Sequence, residues 1–166
     1  MRVSRATLTA LLLVTLAASP GAAESTTADI SRETRHLKFT ARLAPRVIKS
    51  GQPLTVSVDI APKRGMHVYA PGSKYRPIAV TFEPQPALTI DEPIYPPATP
   101  YYFRPLKETV DVYQSAFRLL VKMRTSAVAQ RRSIVLSGAL AYQACDDRVC
   151  YLPESIPLLW TVRVDE

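Results

Sequence analysis

An all-β sandwich is the fold that this sequence predicts, on three observations. From His36 onward, apolar residues alternate with polar ones, which is the two-residue period of strands with one buried face. Proline and glycine clusters interrupt the alternation at short intervals, and the chain contains 15 prolines. No apolar stripe at helical spacing extends beyond two turns. Short strands separated by turns in this way are typical of an immunoglobulin-like pair of antiparallel sheets.

The predicted strands follow one another along the chain. The clearest is LTVSVDI, in which Leu54, Val56, Val58 and Ile60 would face the core. Breaker segments at 49–53, 61–65 and 70–73 separate the strands that surround it. The other alternating sets are Leu37/Phe39/Ala41, Ile78/Val80/Phe82, Val110/Val112, Phe117/Leu119/Val121, Ile134/Leu136 and Trp160/Val162/Val164.

A proline-rich segment at 93–105 interrupts this pattern with five prolines and four aromatic residues. It is not expected to be a central strand, because proline lacks the N–H that a sheet ladder needs. One interpretation is a stiff loop whose aromatic rings pack on the edge of the sandwich. The other is a rigid lid or recognition surface with exposed rings.

The N-terminal residues predict export. Arg2 and Arg5 precede a mostly apolar run at 6–18, and small residues lead to a cleavage site after Ala23. The run is shorter than the roughly 20 residues that span a bilayer, so we expect a signal peptide at 1–23 and no membrane span afterwards. A polar segment at 24–35 is then a flexible lead-in to a single domain at 36–166.

Charge argues against a nucleic-acid partner. The chain has 21 basic and 14 acidic residues, but the basic ones are scattered along it. A nucleic-acid surface needs a clustered basic patch with stacking aromatics. A solvated basic surface is therefore the simpler interpretation.

The two cysteines, Cys145 and Cys150, are separated by four residues, among them Asp146, Asp147 and Arg148. Strand-like flanks place the pair across the neck of a hairpin turn, where a disulfide is plausible in an exported protein. As a structural staple, a loop of about six residues contributes only about 2 kcal/mol. In a redox pair, Arg148 would favour a thiolate and the two aspartates would disfavour it. Spacing and composition leave both interpretations open.

The stretch Tyr142-Gln143-Ala144-Cys145 and its continuation Cys150-Tyr151-Leu152-Pro153-Glu154 resembles the N-terminal periplasmic domain of the DsbD family of thiol:disulfide interchange proteins. The segment 65–69, Gly-Met-His-Val-Tyr, is similar to a glycine-aromatic-tyrosine strand of that family. The resemblance extends over most of 35–166 and implies an immunoglobulin-like fold. It also implies a periplasmic thiol–disulfide oxidoreductase of the protein-disulfide reductase type, without a cofactor.

The resemblance also implies roles for individual residues. Cys150 would carry the mixed disulfide with a partner, and Cys145 would resolve it. An aromatic cap from the segment 95–104 would shield the pair. The residues concerned would be Tyr101, Tyr102 or Phe103 for the cap and Tyr142, Gln143, Asp146, Arg148 and Tyr151 as neighbours of the pair.

The partners implied are thioredoxin-like redox proteins, including those of cytochrome c maturation, and disulfide isomerases. Two departures from the family pattern bear on this expectation. Some members have five residues between the cysteines, whereas this chain has four. The membrane-spanning and C-terminal thioredoxin domains of the family are also absent from the sequence, so we expect a separate membrane electron-transfer protein to supply electrons.

Two other classes of function stay open beside exchange. Met66, His67, Met123 and the cysteines are soft or borderline ligands that suit copper(I), although the cysteine spacing does not fit zinc. A non-catalytic binding sandwich with a structural disulfide is the other alternative. Hydrolytic chemistry is disfavoured, since no G-x-S-x-G or H-E-x-x-H motif is present.

Overall fold

The computed structural model describes residues 28–126 and 133–165. The predicted signal peptide and its cleavage site at Ala23 lie outside these residues. Within the described ranges, no helix is long and apolar enough to cross a bilayer. What is described consists of strands, turns and one short 3₁₀ helix, so the all-β prediction is confirmed.

Two larger sheets form the sandwich. The first is antiparallel, and its strands lie in the order β1 (Ile30–Glu33), β2 (Leu37–Ala44), β4 (Pro53–Pro62), β10 (Phe117–Thr125) and β7 (Leu88–Ile90). The second has the order β3 (Val47–Lys49), β13 (Glu154–Asp165), β11 (Ser133–Tyr142) and β6 (Ala79–Phe82). Only β3 runs parallel to its neighbour among the strand pairs of the described residues.

A third, smaller sheet carries the cysteine hairpin. Its strands lie in the order β12 (Ala144–Cys145), β5 (His67–Tyr69), β9 (Glu108–Tyr113) and β8 (Thr99–Phe103). The 3₁₀ helix Arg104–Leu106 connects β8 to β9. Since β12 follows directly on β11, this sheet extends one end of the sandwich.

The core lies between the two larger sheets, as the alternation predicts. Leu37, Phe39, Ala41 and Leu43 of β2 are buried, and the residues between them are partly or fully exposed. Trp160 of β13, at 2% exposure, is the largest side chain buried in this core. These inward-facing rows make one continuous apolar layer, which confirms the immunoglobulin-like sandwich.

Two segments differ from what their sequences predict. Ile30–Glu33, within the predicted flexible lead-in, is strand β1 and pairs with β2. Thr99–Phe103, within the predicted proline-rich loop, is strand β8. Both are edge strands, where outward polar residues and a proline are tolerated because one side of the backbone needs no ladder partner.

A glycine turn directs the chain into β5. Gly65 has φ of +78°, a left-handed conformation that side chains other than glycine rarely adopt, and the Met66 N–H donates to the Lys63 carbonyl oxygen at 2.8 Å. The chain then enters β5 with His67 and Tyr69 on the face that meets Cys145. The Gly65 turn therefore leads into the strand that carries His67 and Tyr69 beside the cysteines.

Candidate functional site

The cysteines close a hairpin turn. Cys145 and Cys150 form a disulfide with an S–S distance of 2.08 Å, and their backbones make an antiparallel bridge. The Asp146 N–H donates to Val149 O at 3.0 Å, and the Tyr151 N–H donates to Ala144 O at 2.9 Å. The flanking strands β11 and β13 pair up to Tyr142 and Glu154, so the turn is fixed at both ends.

Asp146 organises the turn between the two cysteines. Its Oδ1 accepts the backbone N–H groups of Arg148 and Val149, both at 2.8 Å, and its Oδ2 accepts the Tyr151 hydroxyl at 2.8 Å. These bonds, led by the one from Val149, lower the pKa of the Asp146 carboxyl. The Arg148 side chain is 85% exposed and its Nε lies 3.9 Å from Asp147 Oδ1, so it extends into solvent beside that carboxylate.

The two sulfur-bearing residues differ sharply in exposure. Cys145 is fully buried, whereas Cys150 is exposed. The residues around Cys150 add apolar surface, because Val149 is 51% exposed and Leu152 is 87% exposed. Cys150 is therefore the more accessible of the two sulfur-bearing residues, and exposed apolar side chains lie next to it in the chain.

A tyrosine hydroxyl contacts both sulfurs. Tyr69 Oη lies 3.2 Å from Cys150 Sγ and 3.3 Å from Cys145 Sγ. Burial raises the pKa of Tyr69 to about 12, so the hydroxyl keeps its proton at neutral pH. A protonated phenol can donate a hydrogen bond to either sulfur when that sulfur becomes a thiolate.

Sequence reasoning missed the group that holds Tyr69. The Tyr75 ring stacks on the Tyr69 ring, with centroids 4.7 Å apart. The Tyr75 hydroxyl donates to Glu108, which is also paired with Lys74. Glu108 opens β9, far along the chain, and no local pattern links it to residues 74–75. The hydrogen bond from Lys74 is the main cause that lowers the pKa of the Glu108 carboxyl.

The three predicted cap residues take different positions along β8. Tyr101 packs against the cluster of Tyr69, Val112 and Cys145, and its ring centroid lies 4.5 Å from that of His67. Phe103, on the same strand face, is 3% exposed. Tyr102, at the alternate position, is 56% exposed. Alternation along the strand thus brings Tyr101 and Phe103, but not Tyr102, to the side on which His67 lies.

Three other residues predicted to lie near the cysteines, Tyr142, Gln143 and Tyr151, make contacts with the chain on either side of the turn. Gln143 Nε2 donates to Tyr151 O at 3.0 Å, and the buried Tyr142 hydroxyl meets Thr34 Oγ1 at 2.8 Å. The Tyr151 ring packs on His36, with centroids 4.5 Å apart. The side chains of Tyr142 and Gln143 thus contact residues other than the sulfurs.

The ligands predicted for copper do not all come together, because Met123 lies away from the others. Met123 is buried in the main core between the large sheets, whereas His67 packs with Tyr101 beside the cysteines. Met66 is half-buried in the turn before β5. In the part of the chain that the structure describes, no group of three or more His, Cys, Asp or Glu side chains is placed to hold a metal ion.

The arrangement suits exchange chemistry. One sulfur is presented to solvent and the other is enclosed, and a hydroxyl donor lies within hydrogen-bond distance of both. Thiol–disulfide exchange needs an accessible sulfur for attack and a second sulfur that resolves the mixed disulfide. The hairpin provides both within one turn.

Comparisons with known proteins identify the family of this chain. The family described as "Thiol:disulfide interchange protein DsbD, N-terminal" matches residues 33–157. No curated protein sequence matches the chain. Among solved structures, the N-terminal periplasmic domain of ScsB from Proteus mirabilis is similar with a TM-score of 0.50 and 10% identity. That similarity covers 82% of this chain, which spans 50% of the solved one.

A second solved structure, the DsbD N-terminal domain of Neisseria meningitidis in the reduced form, has 18% identity and a TM-score of 0.45. It covers 69% of this chain and 79% of its own. The family match carries the assignment, because it includes both cysteines, the β5 strand and most of the sandwich. This confirms the resemblance drawn from the cysteine segment: the chain belongs to the family of N-terminal domains of the thiol:disulfide interchange protein DsbD.

Proposed function

We propose that this domain passes reducing equivalents in the periplasm between a thioredoxin-like donor and disulfide-containing proteins, through Cys145 and Cys150. The observation that carries the proposal is the unequal exposure of a bonded cysteine pair, with Cys150 exposed and Cys145 enclosed. A structural staple needs no such asymmetry. Membership of a thiol:disulfide interchange family supports the same chemistry.

The proposed cycle begins when the donor reduces the domain. A donor thiolate attacks Cys150 Sγ, the Cys145–Cys150 bond breaks, and the electron pair of that bond leaves on Cys145 Sγ. A second donor thiol then attacks the mixed disulfide and releases Cys150. The donor ends as a disulfide and the domain as a dithiol.

The reduced domain then acts on an acceptor. The Cys150 thiolate attacks a sulfur of the acceptor disulfide, and the other acceptor sulfur leaves as a thiolate. Cys145 attacks Cys150, which reforms the internal disulfide and releases the second acceptor sulfur. The roles of Cys150 and Cys145 follow from which of them a partner can reach.

Two features support recognition of a folded partner. The exposed apolar side chains of Val149 and Leu152 lie near Cys150 in the chain and offer contact to a protein that brings its own sulfur close. Tyr101 packs on the cluster that contains Cys145, and the buried Phe103 lies beyond it against His67, so these two rings serve as the shield that limits access to small oxidants. The export signal predicted at 1–23 would place this exchange in the periplasm.

We expect the folded domain to exchange disulfides with protein partners faster than a short peptide that carries the same two cysteines. The reduced domain, without its predicted signal peptide, is mixed with an oxidised disulfide isomerase, and the oxidised domain with a reduced thioredoxin-like protein. Thiols are alkylated at set times and counted by mass. We expect rate constants at least about tenfold above those of a peptide covering 143–152, since docking lowers the barrier by about 1.4 kcal/mol or more.

The peptide is the matched control, because it carries both cysteines and their turn without the surrounding sandwich. Equal rates for peptide and domain would contradict recognition by the folded surface. Failure of the domain to exchange with either class of partner would contradict the proposed function itself.

A further inference from the structure

His67 is a buried histidine directly opposite the enclosed cysteine. In the pairing of β5 with β12, His67 is the register partner of Cys145. Directly opposed residues of an antiparallel pair have Cβ atoms about 4.5–5.5 Å apart and project from the same face of the sheet. The His67 and Cys145 side chains therefore start from adjacent positions on one face of the sheet.

The imidazole lacks a hydrogen-bond partner on one nitrogen. His67 is 1% exposed, and its Nε2 has no partner among the described residues. A buried polar nitrogen without a partner lowers stability, and in His67 this nitrogen belongs to the residue directly opposite Cys145. An aromatic side chain of similar size would fill the same space without that cost.

The groups around His67 keep the ring neutral at neutral pH. Burial lowers the pKa of His67, and the negative Asp146 after β12 opposes this shift. From β8, Tyr101 and Phe103 face the ring, and Tyr69 lies edge-on to it along β5.

Strand β9, which pairs with β5 on the side away from β12, places no unpaired charged side chain from the described residues beside His67. Val112 of β9 is the register partner of Tyr69 and is apolar and buried. Glu108, further along β9, is paired with Lys74 and the Tyr75 hydroxyl. Asp146 is thus the charged group that acts on His67, and it is itself engaged by the turn.

The buried cysteine needs help to lose its proton. Cys145 must become a thiolate to resolve a mixed disulfide, and enclosure in an apolar cluster disfavours the charged form. The Tyr69 hydroxyl can stabilise the thiolate, but it is protonated at neutral pH and does not accept the proton. A base beside Cys145 would take this proton faster than solvent hydroxide does at neutral pH.

We propose that His67 is the proton acceptor for Cys145 in the resolving step, an inference that rests on the proposed function. The Cys145 thiol gives its proton to an imidazole nitrogen, and its sulfur attacks Cys150 Sγ. The Cys145–Cys150 bond forms, and the bond from Cys150 to the partner sulfur breaks. The domain is oxidised by two electrons and the partner is reduced by two.

The proton then passes from the imidazolium to the departing partner thiolate, which leaves as a thiol. In the reverse direction, when a donor reduces the domain, the imidazolium returns a proton to the Cys145 sulfur as the disulfide breaks. The same group serves both directions because the two reactions share one transition state.

A single-turnover reaction with dithiobis(nitrobenzoate) separates the two steps. Attack of Cys150 on this aromatic disulfide releases one coloured thiolate in a bimolecular phase. Attack of Cys145 on the mixed disulfide releases a second in a unimolecular phase. The second thiolate leaves without needing a proton, so its rate reports removal of the proton from Cys145.

We expect His67→Phe to slow the second phase roughly 10²-fold near neutral pH and to leave the first phase unchanged. The wild-type second phase should fall as pH is lowered and His67 becomes protonated, and reach a plateau above that transition. The variant should lose this transition and rise steadily up to about pH 9, because hydroxide then removes the proton. His67→Gln should behave like His67→Phe and tests the same point if the phenylalanine variant folds poorly.

His36→Gln is the matched control. His36 is also buried, and its Nε2 also lacks a partner among the described residues. It lies elsewhere, however: its ring packs on Tyr151, and its Nδ1 is 2.8 Å from Glu154 Oε1. The His36 variant should keep the wild-type second phase and its pH profile.

Three outcomes would overturn the inference. Equal rates of the second phase in wild type and both His67 variants would overturn the role of His67 but leave the proposed exchange function standing. Slowing of both phases together would also overturn it, since that outcome marks a structural effect. If the wild-type dithiol releases no coloured thiolate, both this inference and the proposed function fail.

Discussion

Replacement of Cys145 by alanine will turn the domain into a trap for its partners. The exposed Cys150 can still attack a disulfide, but no second sulfur remains to resolve the product. We therefore expect a stable mixed disulfide with an oxidised thioredoxin-like protein or isomerase, seen as a covalent complex on non-reducing gels and by mass. Turnover should be lost completely.

Replacement of Cys150 by alanine is the matched experiment, because it also leaves one thiol. The remaining Cys145 is fully buried, so we expect no covalent complex and no turnover. In both experiments the partner should carry a single reactive cysteine, activated as its mixed disulfide with thionitrobenzoate. Attack of the domain thiolate then releases thionitrobenzoate, and no second partner cysteine remains to resolve the complex. Equal trapping by both variants, or trapping only by the Cys150 variant, would contradict the assignment of Cys150 as the partner-facing sulfur.

Tyr69→Phe will shift the reduction potential of the pair without changing the fold. The variant removes the hydroxyl that contacts both sulfurs and keeps the ring that stacks with Tyr75. A hydrogen bond to a thiolate is stronger than one to a disulfide, so its loss destabilises the reduced state. We expect a potential about 30–60 mV more negative, with a shift that grows as pH rises and thiolate forms.

The measurement is equilibration with glutathione buffers at several pH values, with thiols counted by alkylation. Tyr95→Phe provides the control, since it removes the hydroxyl of a partly buried tyrosine that lies near the Val80 backbone. An unchanged potential in the Tyr69 variant would mean that its hydroxyl does not stabilise a sulfur. A shift of the same size in the Tyr95 variant would assign the change to general loosening of the sandwich.

The long strands could be predicted from the sequence because successive side chains point alternately into the core and toward solvent. In β4, Leu54, Val56, Val58 and Ile60 are buried and the intervening residues are partly exposed, which is the pattern that the sequence displays. The edge strand β1 has no such pattern, since its residues are exposed or half-exposed on both faces. Backbone pairing with β2 creates that strand, and pairing leaves no trace in local composition.

The same reasoning explains the cap. Prolines in the segment 93–105 argue against a central strand, and the structure places β8 at an edge where Pro100 is tolerated. The two-residue period of a strand places Tyr101 and Phe103 on one face of β8 and Tyr102 on the other. Composition alone does not make that distinction.

The cysteine turn was accessible to sequence reasoning because it is local. Cys145 and Cys150 lie five positions apart, and the strand-like flanks indicate the hairpin. The tyrosine and carboxylate that support the site are not local: Tyr69, Tyr75 and Glu108 meet only after β5 and β9 pair. Their contact depends on strand order, which hydrophobic alternation does not encode.

The most direct test of a redox role for the cysteine pair is its reduction potential. The purified protein without its predicted signal peptide is equilibrated in glutathione buffers, and the fraction of free Cys145 and Cys150 thiols is measured by alkylation and mass. A potential between about −120 and −270 mV is expected, in the range of proteins that exchange disulfides. A disulfide that stays closed below about −300 mV would identify a structural staple and contradict the exchange mechanism.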